Sequence, residues 1–373
     1  MTGRVSAIPE AACGADLARF CREVLRRTGA DRPTAEAATA AMTHASRLGV
    51  DSHGVRLLAH YVRALEGGRV KKNPRLRFAR GRGAAATLDA GHAHGALAAY
   101  RAMDRAVALA ARLGIGAVAI ANTSHFGAAG AYALAAAERG FVGLAVCNSD
   151  AFVRLHDGAA RVHGTNPIAF AAPVDGEAPW LLDMATSAIP YNRVQLYRSL
   201  ARRLPPGVAS DARGRDTRAP DDADMLAPLG AAFGFKGAGL AGMVEILSAV
   251  LTGMRLSPEI LPMPGPDMRT PRRMGAFVLA IDPRAFDPDG GFARRMARYV
   301  RGLRSSAAAK DRKVMTPGER EWRVAALRAR AGIPLDPETR AAFARLAKTY
   351  GVPPPRPATP VPPAPRKPPR RKD

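Results

Sequence analysis

A strand, a short loop and a helix in the first half of the chain constrain its fold most. An apolar run at 117–120 leads into the loop sequence ANTSHFG at 121–127, and a helical run follows at 128–138. The next apolar segment, 141–148, has the composition of a strand, so the segments together predict a β-α-β unit. His125 would then lie at an edge of the sheet, beside the free N–H groups of a helix start, which stabilise anionic ligands. This position favours a role in chemistry, although a hydrogen-bonded loop histidine without such a role would also fit.

Length and composition predict a globular protein with about two domains. The 373 residues are 47% hydrophobic and 24% charged, which is enough to bury a sizeable core. A net charge of +24 would suit nucleic acid if the charge were clustered on one face. The arginines are instead scattered among helices, without interleaved aromatic residues or a nucleic-acid motif, and this argues against nucleic acid as a partner.

The C-terminal segment 353–373 differs in composition from the rest of the chain. It contains ten prolines and six lysines or arginines against one aspartate, so it carries a charge of +5. Such a segment cannot bury a core, and we expect it to be a disordered, partly extended tail.

The sequence shows no targeting signal and no membrane span. Residues 1–20 lack an uninterrupted apolar region, and Arg, Asp and Gly interrupt every longer apolar run. The three cysteines, Cys13, Cys21 and Cys147, are an odd number and lack the spacing of metal ligands. They are typical of reduced residues in a cytoplasmic protein, and we expect no contact with membranes.

A His-x-His pair at His92 and His94 is the one sequence feature with the character of a metal ligand pair. No Asp, Glu or Cys completes a site at a recognisable spacing. We therefore predict no metal site.

Helical patterns occupy both ends of the chain, and strands and helices mix in the middle. Apolar spacing predicts helices at 13–27 and 34–48 near the N-terminus, and further helices from 292 onward. This order predicts a helical domain formed by 1–75 with 290–352, packed around an α/β domain at 76–289. The segment 191–228 is rich in Arg, Asp and Pro, and we expect it to form surface loops.

Polar residues stand at several predicted element ends. The run from Asp51 to Arg56 holds a carboxylate, a hydroxyl, an imidazole and a guanidinium, which could form a site or simply a polar helix cap. Ser149 follows a strand, and the strand at 180–184 ends in small hydroxylic residues. Small residues at a strand end let a ligand approach the backbone, and hydroxyls can bind phosphate or ribose.

The sequence GAGLAG at 237–242 matches the dinucleotide fingerprint letter for letter. A Rossmann loop must follow a strand, and the preceding segment 229–235 is a weak strand at best. We therefore predict that this is not a Rossmann domain. Lys236, at the mouth of the following helix, would suit an anionic phosphate, or it could be a solvated lysine.

Taken together, the order and wording of these segments resemble the malate/L-lactate dehydrogenase family of non-Rossmann NAD(P)-dependent oxidoreductases. That family includes ureidoglycolate and sulfolactate dehydrogenases, and reductases of the cyclic imino acids piperideine- and pyrroline-2-carboxylate. The resemblance covers about residues 13–352. The matching phrases are Asp51-Ser52-His53-Gly54, Ser124-His125-Phe126-Gly127, Gly164-Thr165-Asn166-Pro167, Asp183-Met184-Ala185-Thr186-Ser187, Phe235-Lys236-Gly237 with Gly239-Leu240, and Pro317-Gly318-Glu319.

The resemblance implies a fold in which terminal helices form one domain and a largely antiparallel α/β domain binds NAD or NADP, usually in a homodimer. It implies that His53, with Ser52 beside it, and His125 are the catalytic residues, one of the histidines being the proton donor or acceptor. Substrate binding would fall to Arg56, Thr165 and Asn166. The implied cofactor-binding residues are Ser149, Asp183, Met184, Ala185, Thr186, Ser187, Lys236, Pro317, Gly318 and Glu319.

The expected activity is hydride transfer between a small 2-hydroxy acid and its 2-oxo acid, and a histidine can quench the charge left on oxygen. Reduction of cyclic 2-imino acids is an alternative, and an inactive paralogue acting as a binding protein is another. The carboxylate needs an arginine fork, but the position four residues after His53 is Leu57 and the nearest arginine is Arg56. Two further departures from the family pattern are the segment 188–191, which lacks a Gly-Lys continuation, and Arg272-Arg273, where a neutral Asn-x-Gly is commoner.

Overall fold

A computed structural model describes residues 8–79, 81–199 and 201–358. Near the N-terminus it contains helices α1 (Gly14–Arg27), α2 (Arg32–Arg47) and α3 (Leu58–Gly67). The carboxylate of Asp31 accepts a hydrogen bond from the Thr34 amide at 2.9 Å, so Asp31 caps the start of α2.

The two ends of the chain share one hydrophobic core. Strand β1 (Ala11–Ala12) pairs antiparallel with β13 (Ile333–Pro334), and helix α10 (Pro337–Tyr350) follows β13. Buried side chains of α1, α2, α3 and α10 form one cluster, in which the rings of Phe20 and Phe343 are 4.9 Å apart. The apolar helix faces at the two ends of the sequence therefore bury each other.

A seven-stranded sheet forms the second core. All but one of its neighbouring strand pairs are antiparallel, as predicted, and the exception is the parallel pair β3 and β4. In spatial order the strands are β2 (Arg77–Ala79), β3 (Ala85–Asp89), β4 (Ile115–Thr123), β12 (Met274–Ile281), β5 (Val142–Cys147), β8 (Ile168–Ala172) and β9 (Trp180–Met184).

Helices cover both faces of this sheet. Helices α4 (Gly95–Leu113) and α5 (Gly130–Ala137) pack on the face that carries Ala145. Helix α7 (Gly234–Glu245), which continues as a π-helix at Ile246–Val250, packs on the face that carries Val146. Adjacent residues of a strand point to opposite faces. The sheet is therefore buried on both sides, by helices from different parts of the chain.

The glycine-rich sequence 237–242 lies inside α7 and not between a strand and a helix. A 3₁₀ turn at Ala231–Phe233 precedes α7. A Cβ at Gly237 would overlap the carbonyl oxygen of Leu229, so this glycine is needed for helix packing. Together with the antiparallel sheet, this excludes a Rossmann domain.

The segment 191–228 contains regular structure, and the expectation of surface loops was wrong. Helix α6 (Tyr191–Ser199) is followed by β10 (Ala209–Ser210) and β11 (Met225–Leu226), which join β6 (Val153–Arg154) and β7 (Arg161–His163) in a small sheet. Its apolar residues are too widely spaced to show a period. They are buried because Val194, Leu204 and Leu226 converge on Val153 from separate turns of the chain.

The helices after the large sheet pack in two different places. Helix α8 (Phe292–Arg304) packs against Val174 and Trp180 of the α/β part, so residues 290–304 do not join the helical core. Helix α9 (Glu319–Ala331) contacts α2. The finer division of the chain into two domains stays a prediction.

The predicted tail does not begin at residue 353. The Ala358 amide donates to the Ala11 carbonyl at 3.0 Å, and Arg356 forms an ion pair with Asp16 at 3.0 Å. Residues 353–358 thus lie along β1 and α1, because main-chain groups of a proline-rich segment can still bond to an edge strand. The remainder of the predicted tail, 359–373, lies outside the described residues.

Candidate functional site

One edge of the large sheet collects several predicted site segments. Strands β4, β5 and β9 end at this edge, and the antiparallel strands β8 and β12 begin there, as the pairing of Met274 with Thr123 and of Ile168 with both Val146 and Met184 shows. The loops at 124–127, 148–150, 164–167 and 184–187 therefore emerge side by side. The order of strands in the sheet, which the sequence does not display, brings them together.

The loop that carries His53 is fixed from two sides. The carboxylate of Asp51 accepts hydrogen bonds from Arg328 of α9 at 2.6 and 2.8 Å. The Ser46 hydroxyl accepts from the Val55 amide at 3.0 Å, and a Cβ at Gly54 would overlap this hydroxyl. Asp51 thus has a structural role: its bonds to Arg328 help to hold the turn that carries the imidazole of His53.

The structure places His53 against His125. Their rings are stacked with centroids 5.7 Å apart and an angle of 20° between planes. The Ser52 hydroxyl lies 2.9 Å from Nδ1 of His53, and the Tyr61 hydroxyl lies 2.9 Å from Nδ1 of His125. Each ring thus has a hydroxyl at Nδ1, which leaves Nε2 as the atom available for a substrate.

Tyr61 is a site residue that the sequence analysis missed. It lies on the buried face of α3, together with Leu58, Val62 and Leu65, so helical spacing classes it with the core. A tyrosine on an apolar face commonly needs a partner for its hydroxyl, and that was the one available signal. Its partner, His125, lies far away in sequence.

Burial lowers the pKa values of both histidines. It lowers the pKa of His53 to about 4, and it lowers the pKa of His125 well below the ordinary value, with the charges of His53 and Arg272 adding to the effect. Burial also raises the pKa of Tyr61, so its hydroxyl keeps its proton. At neutral pH the site holds two neutral imidazoles.

The predicted residues Ser149, Thr165, Asn166 and Thr186 do come together. The Ser149 hydroxyl accepts from the Thr165 amide at 3.2 Å, and the Thr186 hydroxyl donates to the Thr165 carbonyl at 3.1 Å. Asn166 is fully buried, and its amide group donates to Glu245 at 2.8 Å. Its side chain ties the loop to α7, which is a structural contact.

Glu245 was not predicted, and it organises the inner side of this loop cluster. Its carboxylate accepts from the Ser257 amide at 2.6 Å and the Ser257 hydroxyl at 2.7 Å, in addition to Asn148 at 3.2 Å and Asn166. A buried carboxylate needs several donors. The partners come from three separate segments, so no sequence pattern reveals them.

The segment 183–187 continues from β9 along the same edge. The Asp183 carboxyl lies beside the Gly130 amide at the start of α5. Burial raises the pKa of this carboxyl to about 6, although the hydrogen bond from the Gly130 amide acts to lower it. Met184 is the last paired residue of β9, Ala185 follows it, and the Ser187 hydroxyl donates to the Ile189 carbonyl at 3.0 Å. These residues border the loop of Thr165.

Lys236 lies in the first turn of α7, and the turn 317–319 packs against the first half of β9. Lys236 is exposed in the first turn of α7, with its ammonium 5.2 Å from the ring centroid of Phe233. Gly318 has a left-handed φ of 87° and lies against Leu181 of β9, next to Pro317. Glu319 begins α9, and its carboxylate accepts from the Thr316 amide at 3.2 Å.

Arg56 does not take the predicted place of the carboxylate anchor. Its side chain is 46% exposed and its guanidinium donates to Glu338 of α10 at 2.6 Å. Residue 56 follows the turn that presents His53, and the 3₁₀ geometry there directs it to the surface of the helical core.

His92 and His94, the pair considered above as metal ligands, occupy structural positions. Nδ1 of His94 accepts from the Ala96 amide at 3.1 Å and so caps α4, while His92 adopts a left-handed turn with φ of 62°. Within residues 8–79, 81–199 and 201–358, no group of three or more His, Cys, Asp or Glu side chains is arranged to hold a metal.

Comparison with known proteins gives a family and several relatives. The model of the malate/L-lactate dehydrogenase family matches residues 14–344. A malate dehydrogenase from Pyrococcus abyssi is 33% identical over 345 residues, which cover 90% of this chain and 94% of the relative. A (2R)-3-sulfolactate dehydrogenase (NADP(+)) from Chromohalobacter salexigens is 36% identical over 264 residues, 70% of this chain and 78% of the relative.

Solved structures share the whole fold. The Δ1-piperideine-2-carboxylate reductase from Pseudomonas syringae superposes with a TM-score of 0.80 at 28% identity, and the match covers 91% of this chain and 99% of that one. Both the length of the family match and the shared fold extend over the helical core and the large sheet. The chain therefore belongs to the malate/L-lactate dehydrogenase family.

Proposed function

We propose that this protein is an NAD(P)-dependent oxidoreductase that interconverts a small 2-hydroxy acid and its 2-oxo acid by hydride transfer. The observation that carries the proposal is the stacked pair of His53 and His125 at the sheet edge where the loops of Ser149, Thr165 and Thr186 emerge. Two imidazoles with their Nδ1 atoms engaged can present Nε2 to one substrate oxygen. The family relatives named above act on substrates of this kind.

The residues along this edge fit a dinucleotide. The first-turn N–H groups of α7 have no partner within the helix, and an exposed ammonium at Lys236 stands among them, so a phosphate would be stabilised there. Hydroxyls and small side chains at Ser149 and 184–187 let a ribose or a nicotinamide approach the backbone. The bound cofactor would supply or accept the hydride.

The neutral histidines define what the chain itself contributes. In the oxidative direction a neutral Nε2 accepts the proton of the substrate hydroxyl as the hydride leaves carbon, and in the reductive direction the protonated ring returns it. A substrate carboxylate beside the rings raises the histidine pKa, because a nearby negative charge favours the charged imidazole. Tyr61 fixes the ring of His125 in either direction.

Two other functions remain to be compared with this one. The likeness to the piperideine-carboxylate reductase favours cyclic 2-imino acids as an alternative substrate class. An inactive paralogue acting as a binding protein is the alternative outside the enzymes, and the exposed basic residues would then serve a partner.

A homodimer completes the proposal, because α7 presents an apolar outer face. Leu240, Met243, Ile246 and Val250 are exposed at helical spacing. The stretch 231–250 is long and apolar enough to cross a membrane by length and composition alone. Its inner face is committed to the sheet, since Val244 packs with Val146 and Ile168. A second copy of the chain therefore fits this face better than lipid.

A cytoplasmic location belongs to the same proposal. Cys13, Cys21 and Cys147 are all unpaired, although Cys13 is exposed. Free thiols of this kind are typical of a reducing compartment.

Cofactor binding followed by a substrate screen tests the proposed function. Purified protein is titrated with NADH and NADPH while fluorescence and thermal midpoint are recorded, since a ligand of the native state must stabilise it. Pyruvate, malate, sulfolactate, ureidoglycolate and the cyclic imines are then assayed with the cofactor that binds. Absence of any shift with both cofactors would contradict the enzyme proposal and favour the binding protein.

A further inference from the structure

A buried arginine stands at the same sheet edge as the two histidines. Arg272 is 2% exposed, and it precedes the first residue of β12 by two positions. His125 follows Thr123, the last residue of β4, by two positions, and Thr123 pairs with Met274. Arg272 and His125 therefore leave two neighbouring strands at the same point. The positive charge of Arg272 is close enough to His125 to help lower the pKa of that ring.

Only part of the Arg272 guanidinium is used. Its Nε donates to the Leu261 carbonyl at 2.8 Å, and its Nη2 donates to Asp150. Nη1 is buried and has no hydrogen-bond partner among the residues that the structure describes. An unused buried donor on a charged group costs free energy unless a ligand or a water molecule satisfies it.

The buried charges around Arg272 do not balance. Arg69 is also 2% exposed, and its charge acts on the same group of residues. The buried carboxylate between these arginines is Asp150, which also accepts from the Met263 amide at 3.0 Å. Among the buried groups these are two cations and one anion, and the exposed carboxylate of Asp267 also acts on Arg69. A small anion at Nη1 of Arg272 would satisfy that donor and place a further negative charge beside the two cations.

Arg69 is less suited to bind that anion. Its Nη1 donates to the carbonyls of Pro262 and Met263, both at 3.1 Å, and its Nη2 donates to the Asp267 carbonyl. Arg56, the arginine nearest to His53 in sequence, pairs with Glu338 on the surface. Nε of Arg69 is also buried without a partner among the described residues, so an unused donor alone does not distinguish the two arginines. Arg272 is distinguished by its position beside His125 on the neighbouring strand and by the effect of its charge on that ring.

We propose that Arg272 binds the substrate carboxylate through Nη1 and so replaces the arginine that this chain lacks at position 57. The inference rests on the proposed function, and it assigns a substrate-binding residue to the same site. Asp150 holds the guanidinium in place, and the carboxylate of a 2-oxo acid would lie between Arg272 and the imidazole of His125. A 2-oxo acid with a free carboxylate is then the preferred substrate over any neutral analogue.

Kinetics with a charged and a neutral substrate test this role. Full-length protein with Arg272→Gln or Arg272→Lys is compared with wild type on pyruvate, or the best 2-oxo acid of the screen, and on the corresponding 2-oxo amide. We expect the KM for the acid to rise about 10- to 100-fold in both variants, because a charge-assisted or bidentate grip is lost. The KM for the amide should stay within about threefold, and cofactor affinity should not change.

Matched controls separate this role from general damage. Arg273→Asn alters the neighbouring exposed residue. Residue 273 has a left-handed φ of 51°, a conformation that asparagine adopts more readily than most residues. Arg56→Lys alters the arginine predicted from the sequence. Both should leave the preference for the acid over the amide unchanged. If the single change leaves Asp150 unpaired and unfolds the protein, the double variant Arg272→Gln/Asp150→Asn, which removes cation and anion together, takes its place.

Binding of oxamate, a stable carboxylate analogue of a 2-oxo acid, decides the inference without turnover. Calorimetry on the enzyme with its cofactor should show oxamate binding to wild type that weakens about 10- to 100-fold in Arg272→Gln. Equal oxamate affinity in wild type and variant, or no binding to wild type, would overturn the inference, and so would an unchanged preference for the acid over the amide. If wild type turns over none of the screened acids, the proposed function fails separately.

Discussion

The hydroxyl of Tyr61 and Nδ1 of His125 are hydrogen-bonded at 2.9 Å, across the boundary between helix α3 and the loop after β4. This bond fixes how the ring of His125 is oriented. It also links the helical core to the sheet at the reacting position.

We expect Tyr61→Phe to lower kcat about tenfold, because a net hydrogen bond of this kind contributes on the order of 1 kcal/mol to holding the ring. Cofactor affinity should not change, since Tyr61 lies on the side of the histidines. Steady-state rates and a fluorescence titration with the cofactor measure both quantities. Tyr100→Phe, which alters a tyrosine that packs on Tyr132 away from the site, is the control. A Tyr61→Phe enzyme with full kcat would show that the bond does not orient His125.

His53→Gln and His125→Gln identify the proton donor. The variant that lacks the donor should lose about 100- to 10,000-fold in turnover with cofactor binding retained, the range for a positioned acid or base. The other variant should lose less, because that ring only orients the substrate. His44→Gln, in α2, serves as the control. If both site variants keep full activity on the best substrate, the assigned site is wrong even though the family is right.

Acid should destabilise the protein through its buried histidines. Burial lowers the pKa of His94 to about 3, so the unfolded chain takes up a proton below pH 6.5 that the folded chain refuses. The free energy of unfolding should therefore fall as pH drops from 6.5, by about 1.4 kcal/mol per pH unit for one such group. Urea unfolding at pH 7, 6 and 5 measures this slope. His94→Asn keeps a residue that can cap α4 and removes the titration, so its slope should be smaller. Equal slopes would contradict a neutral, buried His94.

The two parts of the C-terminal segment should differ in their effect on stability. Deletion of 359–373 should leave activity and thermal midpoint unchanged, because so proline-rich a segment buries little apolar surface. Deletion of 353–373 also removes the bonds of Arg356 to Asp16 and of Ala358 to Ala11, and should lower the midpoint by about 2 to 4 °C. Differential scanning calorimetry on both truncations distinguishes them. A midpoint that drops equally in the two would contradict a stabilising role for the bonds of Arg356 and Ala358.

The sequence by itself determined the family and the type of many helices and strands. Six short phrases in order indicated the malate/L-lactate dehydrogenase family, and the family match over residues 14–344 confirms it. The missing strand before residues 237–242 correctly argued against a Rossmann domain, because helix and strand periods are local properties. With family membership come the enzyme class and the use of NAD or NADP, while the choice between the two cofactors stays open.

Only the tertiary structure decided which residues meet. Strand order brings the loops after β4, β5 and β9 to one edge, and the sequence could not reveal that order because antiparallel pairing is set by packing between distant segments. Sequence proximity favoured Arg56 as the anchor, yet the 3₁₀ turn directs Arg56 to Glu338. Tyr61 is hydrogen-bonded to His125, and Arg272 is hydrogen-bonded to Asp150. Buried polar groups need hydrogen-bond partners, and the fold supplies these partners from distant segments of the chain.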